Sequence, residues 1–314
     1  MYAADLQGQV RLVAQMPGEL ELDDISGDGR ALLAHHTLIG TMRAVGPGEA
    51  AERDLTWLDS SIPADLSPDG KTILFNELGE GGGKTSSVYL RGLDGSPPVR
   101  LGDGTAHSLS PDGKSVLVSL PDVVDRFVLL PTGAGEPRSI PLPGFDALDA
   151  AAWLPDGREF IFEGRESGKW RIYRMSAEGG KPRAISPEGI RIPAWMTGPV
   201  TPDGRFFFGA RGPAQWFRFP IDGGEPLPIT GLAPGEFPIR WASDRSLWVN
   251  RAGGRGIFRI DLPTRRKMTP LRNELDVQPG TVAFFRVVIT ADGRAFAYGA
   301  RQTHSVLYVV EGLR

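Results

Sequence analysis

The chain has 314 residues, of which 40% are hydrophobic and 23% are charged, and its 35 Lys and Arg nearly balance its 38 Asp and Glu. A net charge of −3 leaves no basic excess to attract phosphates, so we expect no nucleic-acid partner. The chain has no cysteine, which excludes disulfides, thiolate catalysis and cysteine-based metal sites.

One ten-residue phrase recurs along the chain, first as ISGDGRALLA at 25–34 and next as LSPDGKTILF at 66–75. Later copies read LSPDGKSVLV, WLPDGREFIF, VTPDGRFFFG, WASDRSLWVN and ITADGRAFAY. The turn aspartates of the seven copies are Asp28, Asp69, Asp112, Asp156, Asp203, Asp244 and Asp292. Their spacing of 41 to 48 residues is about the length of a four-stranded propeller blade.

The chemistry of the phrase predicts a tight turn between two strands. Proline presets φ for the second turn position, aspartate can bond the nearby backbone, and glycine accepts positive φ. The sixth copy has Asp244-Arg245 in place of Asp-Gly, so its turn must differ or carry strain. Every blade needs its turn, whereas a catalytic group is needed only once, so we interpret the repeated aspartates as structural.

Further strands and hairpins follow each turn. Stretches such as SVYLRGLDGSPPVRLG (87–102) and WFRFPIDGGEPLPIT (216–230) alternate apolar and polar residues around Asp-Gly or Gly-Gly turns, which is the pattern of a β-hairpin. We predict a single all-β domain over 1–314, a seven-bladed β-propeller of four-stranded antiparallel blades. Six or eight blades, or an incomplete ring from a longer array, are the alternatives.

The ends of the chain pose the question of how the ring closes. In many propellers the ring closes because strands from one end of the chain complete the blade that the other end of the chain begins. We expect the strands within 1–20 to complete the last blade, with 9–14 as its fourth strand, which leaves 2–6 without an obvious place. Either the N-terminal hairpin displaces or extends that blade, or the chain is a piece of a longer array; we favour the second reading.

The Ser-Pro-Asp-Gly turn, followed by an apolar strand and by strands such as VYLRGLDG, resembles the TolB-type propeller repeat from about residue 20 to the end. The longer phrases at 55–83 and 128–144 are similar to the C-terminal propeller of bacterial membrane-bound Ser/Thr kinases. That resemblance implies a sensor propeller outside the cytoplasm. The chain itself has no kinase motif, since it lacks His-Arg-Asp and Asp-Phe-Gly.

Polar residues just before the turns are the candidates for a ligand site. In a propeller the first strand of each blade lines the central channel, so these side chains should converge at its mouth. They are Asp23, Asp24, Asp65, His107, Ser108, Asp149, Arg240 and Arg286. Such a group suits either a cation or an anionic ligand, with Asp24, Asp65 and Asp149 as candidate ligands of Ca²⁺. Mutual pairing among these side chains and channel water is the alternative.

Histidines and clustered aromatic residues are two further residue types that could carry a function. The four histidines, His35, His36, His107 and His304, lie in no nucleophile motif, so we expect no catalytic residue among them. The aromatic-rich stretch 205–219 carries more rings than one strand face can bury, so we expect Trp216 at a loop or rim, where it could anchor a peptide or sugar.

We therefore expect a non-catalytic binding, sensor or protein-interaction module, a monomer, part of a larger kinase-linked bacterial protein. Its ligand is a protein, a peptide or a small molecule. The alternative is a calcium-dependent, lactonase-like hydrolase with its site in the channel, although asparagine is scarce in the first strands. No apolar stretch is long enough to cross a bilayer, and residues 1–13 have no secretory signal pattern, so we expect no membrane insertion by this chain.

Overall fold

The computed structural model describes residues 2–311 except for 5, 14, 16–18, 80–82, 84, 213–214, 244, 252–255, 265, 268–270, 273–274, 276–278 and 280. Within these residues the regular secondary structure consists of 26 β-strands, with no helix. Almost all neighbouring strands are antiparallel, as expected from hairpin-rich sequence. The prediction of an all-β propeller fold is confirmed at this level.

The strands from the second repeat onward form sheets that we number as blades. Blade 1 consists of β6 (Ser60–Leu66), β7 (Thr72–Leu78), β8 (Ser87–Gly92) and β9 (Val99–Asp103). Blade 2 consists of β10 (Thr105–Leu109), β11 (Ser115–Leu120), β12 (Val123–Pro131) and β13 (Arg138–Pro141). Blade 3 consists of β14 (Ala147–Trp153), β15 (Glu159–Glu166), β16 (Lys169–Ser176) and β17 (Arg183–Ala184).

Blade 4 has β18 (Phe206–Arg211), β19 (Gln215–Pro220) and β20 (Leu227–Pro228), and isolated bridges from Arg191 to Ala210 and from Val200 to Phe207 mark its first strand position. Blade 5 consists of β21 (Glu236–Ser243), β22 (Ser246–Arg251), β23 (Ile257–Asp261) and β24 (Arg266–Lys267). The first two strands of blade 6 are β25 (Thr281–Ile289) and β26 (Phe296–Val310).

Blade 6 is completed by strands from the first sixty residues. Two elements supply its third and fourth strands: β4 (Ala31–Val45), whose second half pairs with the start of β26, and β5 (Arg53–Asp54), which pairs with β4. The expectation that 9–14 closes the last blade is therefore wrong. In the structure, β1 (Tyr2–Ala4) and β2 (Val10–Leu12) pair with each other in a separate two-stranded sheet.

The first copy of the phrase does not make a blade of its own. Its strand β3 (Glu19–Ile25) pairs with the first half of β4, and the second half of β26 pairs with the other edge of that same segment. Because β4 runs without interruption from this extension into blade 6, no turn separates a seventh unit. The described strands thus form six blades, the alternative to the predicted seven.

Apolar clusters join each blade to the next. Each cluster combines side chains from neighbouring blades, so the pleated faces pack against one another as stacked sheets do. For each pair of neighbouring blades, two residues of the shared cluster serve as examples: Leu74 and Val116 (blades 1 and 2), Phe127 and Phe160 (2 and 3), Ile161 and Phe207 (3 and 4), Phe207 and Trp241 (4 and 5), Trp248 and Phe296 (5 and 6), and Met42 and Phe75 (6 and 1). This series returns to its start, so the six blades form a closed ring.

Candidate functional site

The recurring turn is held together by its aspartate. In blade 1, Asp69 accepts a hydrogen bond from Ser67 Oγ at 2.6 Å and another from the Lys71 backbone N–H at 3.1 Å. The hydroxyl bond recurs in blades 2, 4 and 6, and the backbone bond recurs in blades 2, 3, 4 and 6. These contacts agree with a structural role for Asp69, Asp112, Asp156, Asp203 and Asp292. Asp28 accepts a bond from Ser26 in the outlying hairpin, and Asp244 lies outside the described residues.

The glycine of the turn brings adjacent turns close together. Gly70 has φ +70°, and a Cβ built on it would lie 2.7 Å from the Ala295 side chain of blade 6. On Gly204 of blade 4, a Cβ would lie 3.3 Å from Pro155 of blade 3. Positive φ and lack of space at Gly70 therefore both favour glycine. The turns of blades 6 and 1 and those of blades 3 and 4 are therefore direct neighbours.

A cavity of about 450 Å³ opens between these turns. Every blade contributes a turn or the end of a first strand to its wall, whereas the first copy of the phrase contributes nothing. Its lining includes Asp65, Pro68, Ser108, Pro111, Trp153, Pro155, Thr197, Pro199, Pro202, Arg240, Trp241 and Asp292. We call this space the turn-side cavity; its wall combines proline and tryptophan surfaces with a few polar groups.

Asp65 is the most heavily hydrogen-bonded side chain of the cavity. Only 4% of the residue is exposed, and it accepts bonds from Arg240 Nη2 at 2.5 Å, from the Leu109 N–H at 3.1 Å and from Ser108 Oγ at 3.2 Å. These donors come from blades 5 and 2, so one carboxyl group of blade 1 ties three blades together across the axis. Burial raises the pKa of Asp65, while Arg240 acts in the opposite direction.

His107, Asp149 and Arg286 lie further from the turns along their first strands, at five, seven and six residues before the turn aspartate. His107 bonds Ser119 Oγ at 2.8 Å, and burial together with Arg286 lowers the pKa of His107 to about 4. Burial also lowers the pKa of Arg286, against the opposing effect of Asp65 and Asp149. These interactions bring the three side chains into one electrostatic group around the axis, which we call the inner layer.

Asp149 is engaged by an arginine that sequence reasoning missed. Arg191 donates to Asp149 at 2.9 Å and to Glu163 at 2.6 Å, and its guanidinium lies 3.9 Å from the centre of the Trp170 ring. The Glu163 side chain is fully buried, and burial raises the pKa of Glu163 to about 7 despite Arg191. The sequence held one sign of this cluster, because a charged residue, Glu163, directly follows the apolar run FIF at 160–162.

The structure does not bring all the predicted residues together. Asp23 and Asp24 are exposed on β3, outside the ring, because that copy of the phrase belongs to the extension of blade 6. The three candidate calcium ligands therefore do not meet, and none of the described residues form a group of three or more His, Asp or Glu placed to hold a metal ion. Trp216 lies within β19 rather than in a loop, and it is partly buried. The centre of its ring lies 6.0 Å from the centre of the Phe208 ring.

Comparisons with known proteins identify the fold. No family model matches the chain. An uncharacterized protein of Agrobacterium fabrum is 31% identical over 189 residues, and dipeptidyl-peptidase 5 of Aspergillus fumigatus is 28% identical over 158 residues. These matches cover 54% and 42% of this chain but only 58% and 22% of the two relatives. The chain thus matches less than two thirds of either relative's length.

Solved structures match a larger part of this chain than the sequence relatives do. A putative TolB from Agrobacterium tumefaciens has a TM-score of 0.58 at 21% identity, over 84% of this chain and 98% of that one. TolB from Acinetobacter baumannii has a TM-score of 0.54 at 18% identity, over 75% and 64%. An oligogalacturonate lyase from Vibrio parahaemolyticus has a TM-score of 0.51 at 13% identity, over 82% and 77%. Within the described residues, no helix is both long and apolar enough for a membrane crossing. The chain has a TolB-like β-propeller fold.

Proposed function

We propose that this chain is a non-catalytic binding module and that its ligand enters the turn-side cavity. One observation carries the proposal: the turns of five blades and the end of the first strand of blade 5 meet at a single cavity of about 450 Å³. That volume lies in the range of small-molecule pockets, and a wall of proline and tryptophan with few polar groups is typical of them. A peptide side chain or a small molecule would fit this space.

The free hydrogen-bonding capacity of the cavity also favours binding. Trp153 is 8% exposed, and its Nε1 is buried without a hydrogen-bond partner among the described residues. Arg240 Nε is in the same condition. A buried donor without a partner costs free energy. Both atoms are closed to solvent, so we expect a ligand acceptor to reach them only after the Trp153 or Arg240 side chain turns toward the cavity. Asp65, by contrast, already accepts several hydrogen bonds, so it offers little to a substrate.

The alternative of a calcium-dependent, lactonase-like hydrolase has weaker support. It requires acidic ligands around one cation, and the acids proposed for that role, Asp24, Asp65 and Asp149, lie apart or are bound to arginines. The oligogalacturonate lyase resembles the chain in fold alone, at 13% identity. A kinase-linked sensor outside the cytoplasm, acting as a monomer, remains a prediction from the phrases at 55–83 and 128–144.

Blocking the cavity tests the proposal. Ala291 lines it, so Ala291→Phe should fill part of it, whereas Ala134 is exposed in an outer hairpin of blade 2 and makes Ala134→Phe the matched control. Peptides selected from a displayed random library on the wild-type protein should bind Ala291→Phe at least about tenfold more weakly and the control unchanged. A selection that enriches no peptide, or peptides that bind both variants equally, would contradict the proposal.

A further inference from the structure

Another cavity lies outside the channel, between the extension of blade 6 and blade 1. It has a volume of about 820 Å³, and its lining includes Glu19, Glu21, His36, Leu38, Leu58 and Asp59. The two residues from blade 1 directly precede β6, so they lie at the end of that blade opposite its Asp69 turn. We call this space the side groove; none of the described residues lines both it and the turn-side cavity.

Hydrogen bonds hold the two walls of the side groove together. Gly40 of β4 donates its N–H to the Asp59 carbonyl at 3.0 Å and pairs with Ser60, the first residue of β6. Within the other wall, His36 bonds Ser305 Oγ at 2.8 Å and Glu21 at 3.3 Å, which joins β26, β4 and β3. Because these contacts fix both walls, the groove is formed before any partner enters it.

Apolar side chains of the side groove are exposed to solvent. Leu38 is 54% exposed and Leu58 is 40% exposed. The apolar surface continues along the extension, where Leu307 is 64% exposed and Val309 is 65% exposed. Leu307 pairs with Ala34, which lies four residues before Leu38 on β4, so these side chains share one face of the sheet. Neighbouring exposed apolar side chains of this kind mark surfaces where another molecule binds.

The other side of the same face is acidic. Glu21 pairs with Ala34 from the opposite edge of β4, and the Glu21 side chain is 63% exposed. Glu19 and Asp59 add two further carboxylates, and the described lining of the groove contains no lysine or arginine. An apolar strand, β26, and an acidic strand, β3, therefore run side by side, about 10 Å apart across β4.

We propose that the side groove binds a basic amphipathic segment of a partner protein. Apolar side chains of the segment would cover Leu38, Leu58 and Leu307, and its lysine or arginine side chains would pair with Glu19 and Glu21. Charge decides between the possible occupants, since a second copy of this chain would bring two sets of the same carboxylates together, and like charges across an interface are unfavourable.

A short fluorescein-labelled peptide of alternating leucine and lysine is the probe, and its binding is measured by fluorescence anisotropy. Glu19→Gln combined with Glu21→Gln should weaken binding about fivefold, and Leu38→Ser should weaken it about tenfold. The matched controls are the exposed glutamates of two outer hairpins, Glu136→Gln combined with Glu225→Gln, and Leu227→Ser at a leucine that is 46% exposed on blade 4. They should change binding less than about twofold.

Four results would overturn the proposal. The first is no binding of the peptide, and the second is equal binding of a peptide with glutamate in place of lysine. The third is an equal effect of the control and groove variants. The fourth is a wild-type dimer in sedimentation velocity that Leu38→Ser dissociates, because a second copy would then occupy the groove.

The turn-side cavity is tested separately with the same peptide. Ala291→Phe, which fills part of that cavity, should bind the leucine–lysine peptide as tightly as the wild-type protein does. Weaker binding by Ala291→Phe would assign the peptide to the turn-side cavity and would also overturn the proposal.

Discussion

Replacing Asp65 with alanine removes the acceptor that joins blades 1, 2 and 5. Four donors lose a hydrogen bond: Arg240 Nη2, Ser108 Oγ and the backbone N–H groups of Leu66 and Leu109. Breaking a buried ion pair by removing one member costs about 3–5 kcal/mol. Arg240 keeps 23% of its side chain exposed and can regain some hydration, which places the expected loss near the lower limit, at about 3 kcal/mol.

Urea unfolding and thermal melting measure this loss. For a chain of 314 residues, about 3 kcal/mol corresponds to a fall of about 5 °C in melting temperature. A double-mutant cycle with Arg240→Met, which keeps the apolar stem, should give a coupling of about 2 kcal/mol. The matched control is the exposed pair Arg138–Glu178 between blades 2 and 3, at 3.4 Å, whose cycle should give less than about 0.5 kcal/mol. A loss below about 1 kcal/mol for Asp65→Ala, with no coupling to Arg240, would refute the cross-channel role.

Three further predictions concern packing and titration. Gly70→Ala should destabilise the protein by about 2–4 kcal/mol in urea unfolding, and the control Gly113→Ala by about 1 kcal/mol. Both glycines have positive φ, but only Gly70 lies in contact with a neighbouring turn. Equal losses would contradict the close approach of the turns. Burial raises the pKa of Glu163 from 4.5 to about 7, so stability should fall as pH rises between those values, and Glu163→Gln should remove that slope. Burial lowers the pKa of His107 from 6.5 to about 4, so the melting temperature should also fall as pH drops from 6.5 to 4. His107→Gln should remove this loss on the acid side. For either residue, a variant with the same pH profile as the wild-type protein would contradict the assignment.

The local turn could be predicted from sequence because its information is local. The bonds from Ser67 Oγ and the Lys71 N–H to Asp69 involve residues within two positions, and each residue type in the phrase has its own reason to be there. The same locality explains the error in blade number. ISGDGRALLA encodes a turn as well as its later copies do, but nothing in it specifies that β4 continues unbroken into blade 6.

The site was only partly predictable because its contacts join distant parts of the chain. Asp65 and Arg240 were both identified, yet their pairing spans 175 residues, and only the closed ring brings them together. Asp24 shares its position relative to the turn with Asp65 but lies outside the ring. Arg191 was missed since it precedes its turn by twelve residues in an irregular first strand, where the repeat phrase gives no alignment.

The arrangement of the turns can be measured directly because the chain has no cysteine to compete with introduced labels. Spin labels on cysteines placed at Lys71, Lys114, Arg158, Arg205 and Arg294, just after the turns of five blades, would give pairwise distances by pulsed electron resonance. We expect these distances to fit one ring with neighbouring, next-neighbouring and opposite positions, and a label at Arg30 to fall outside it. Distances that fit no single ring, or that place Arg30 as a seventh vertex, would contradict a six-bladed propeller with one shared cavity.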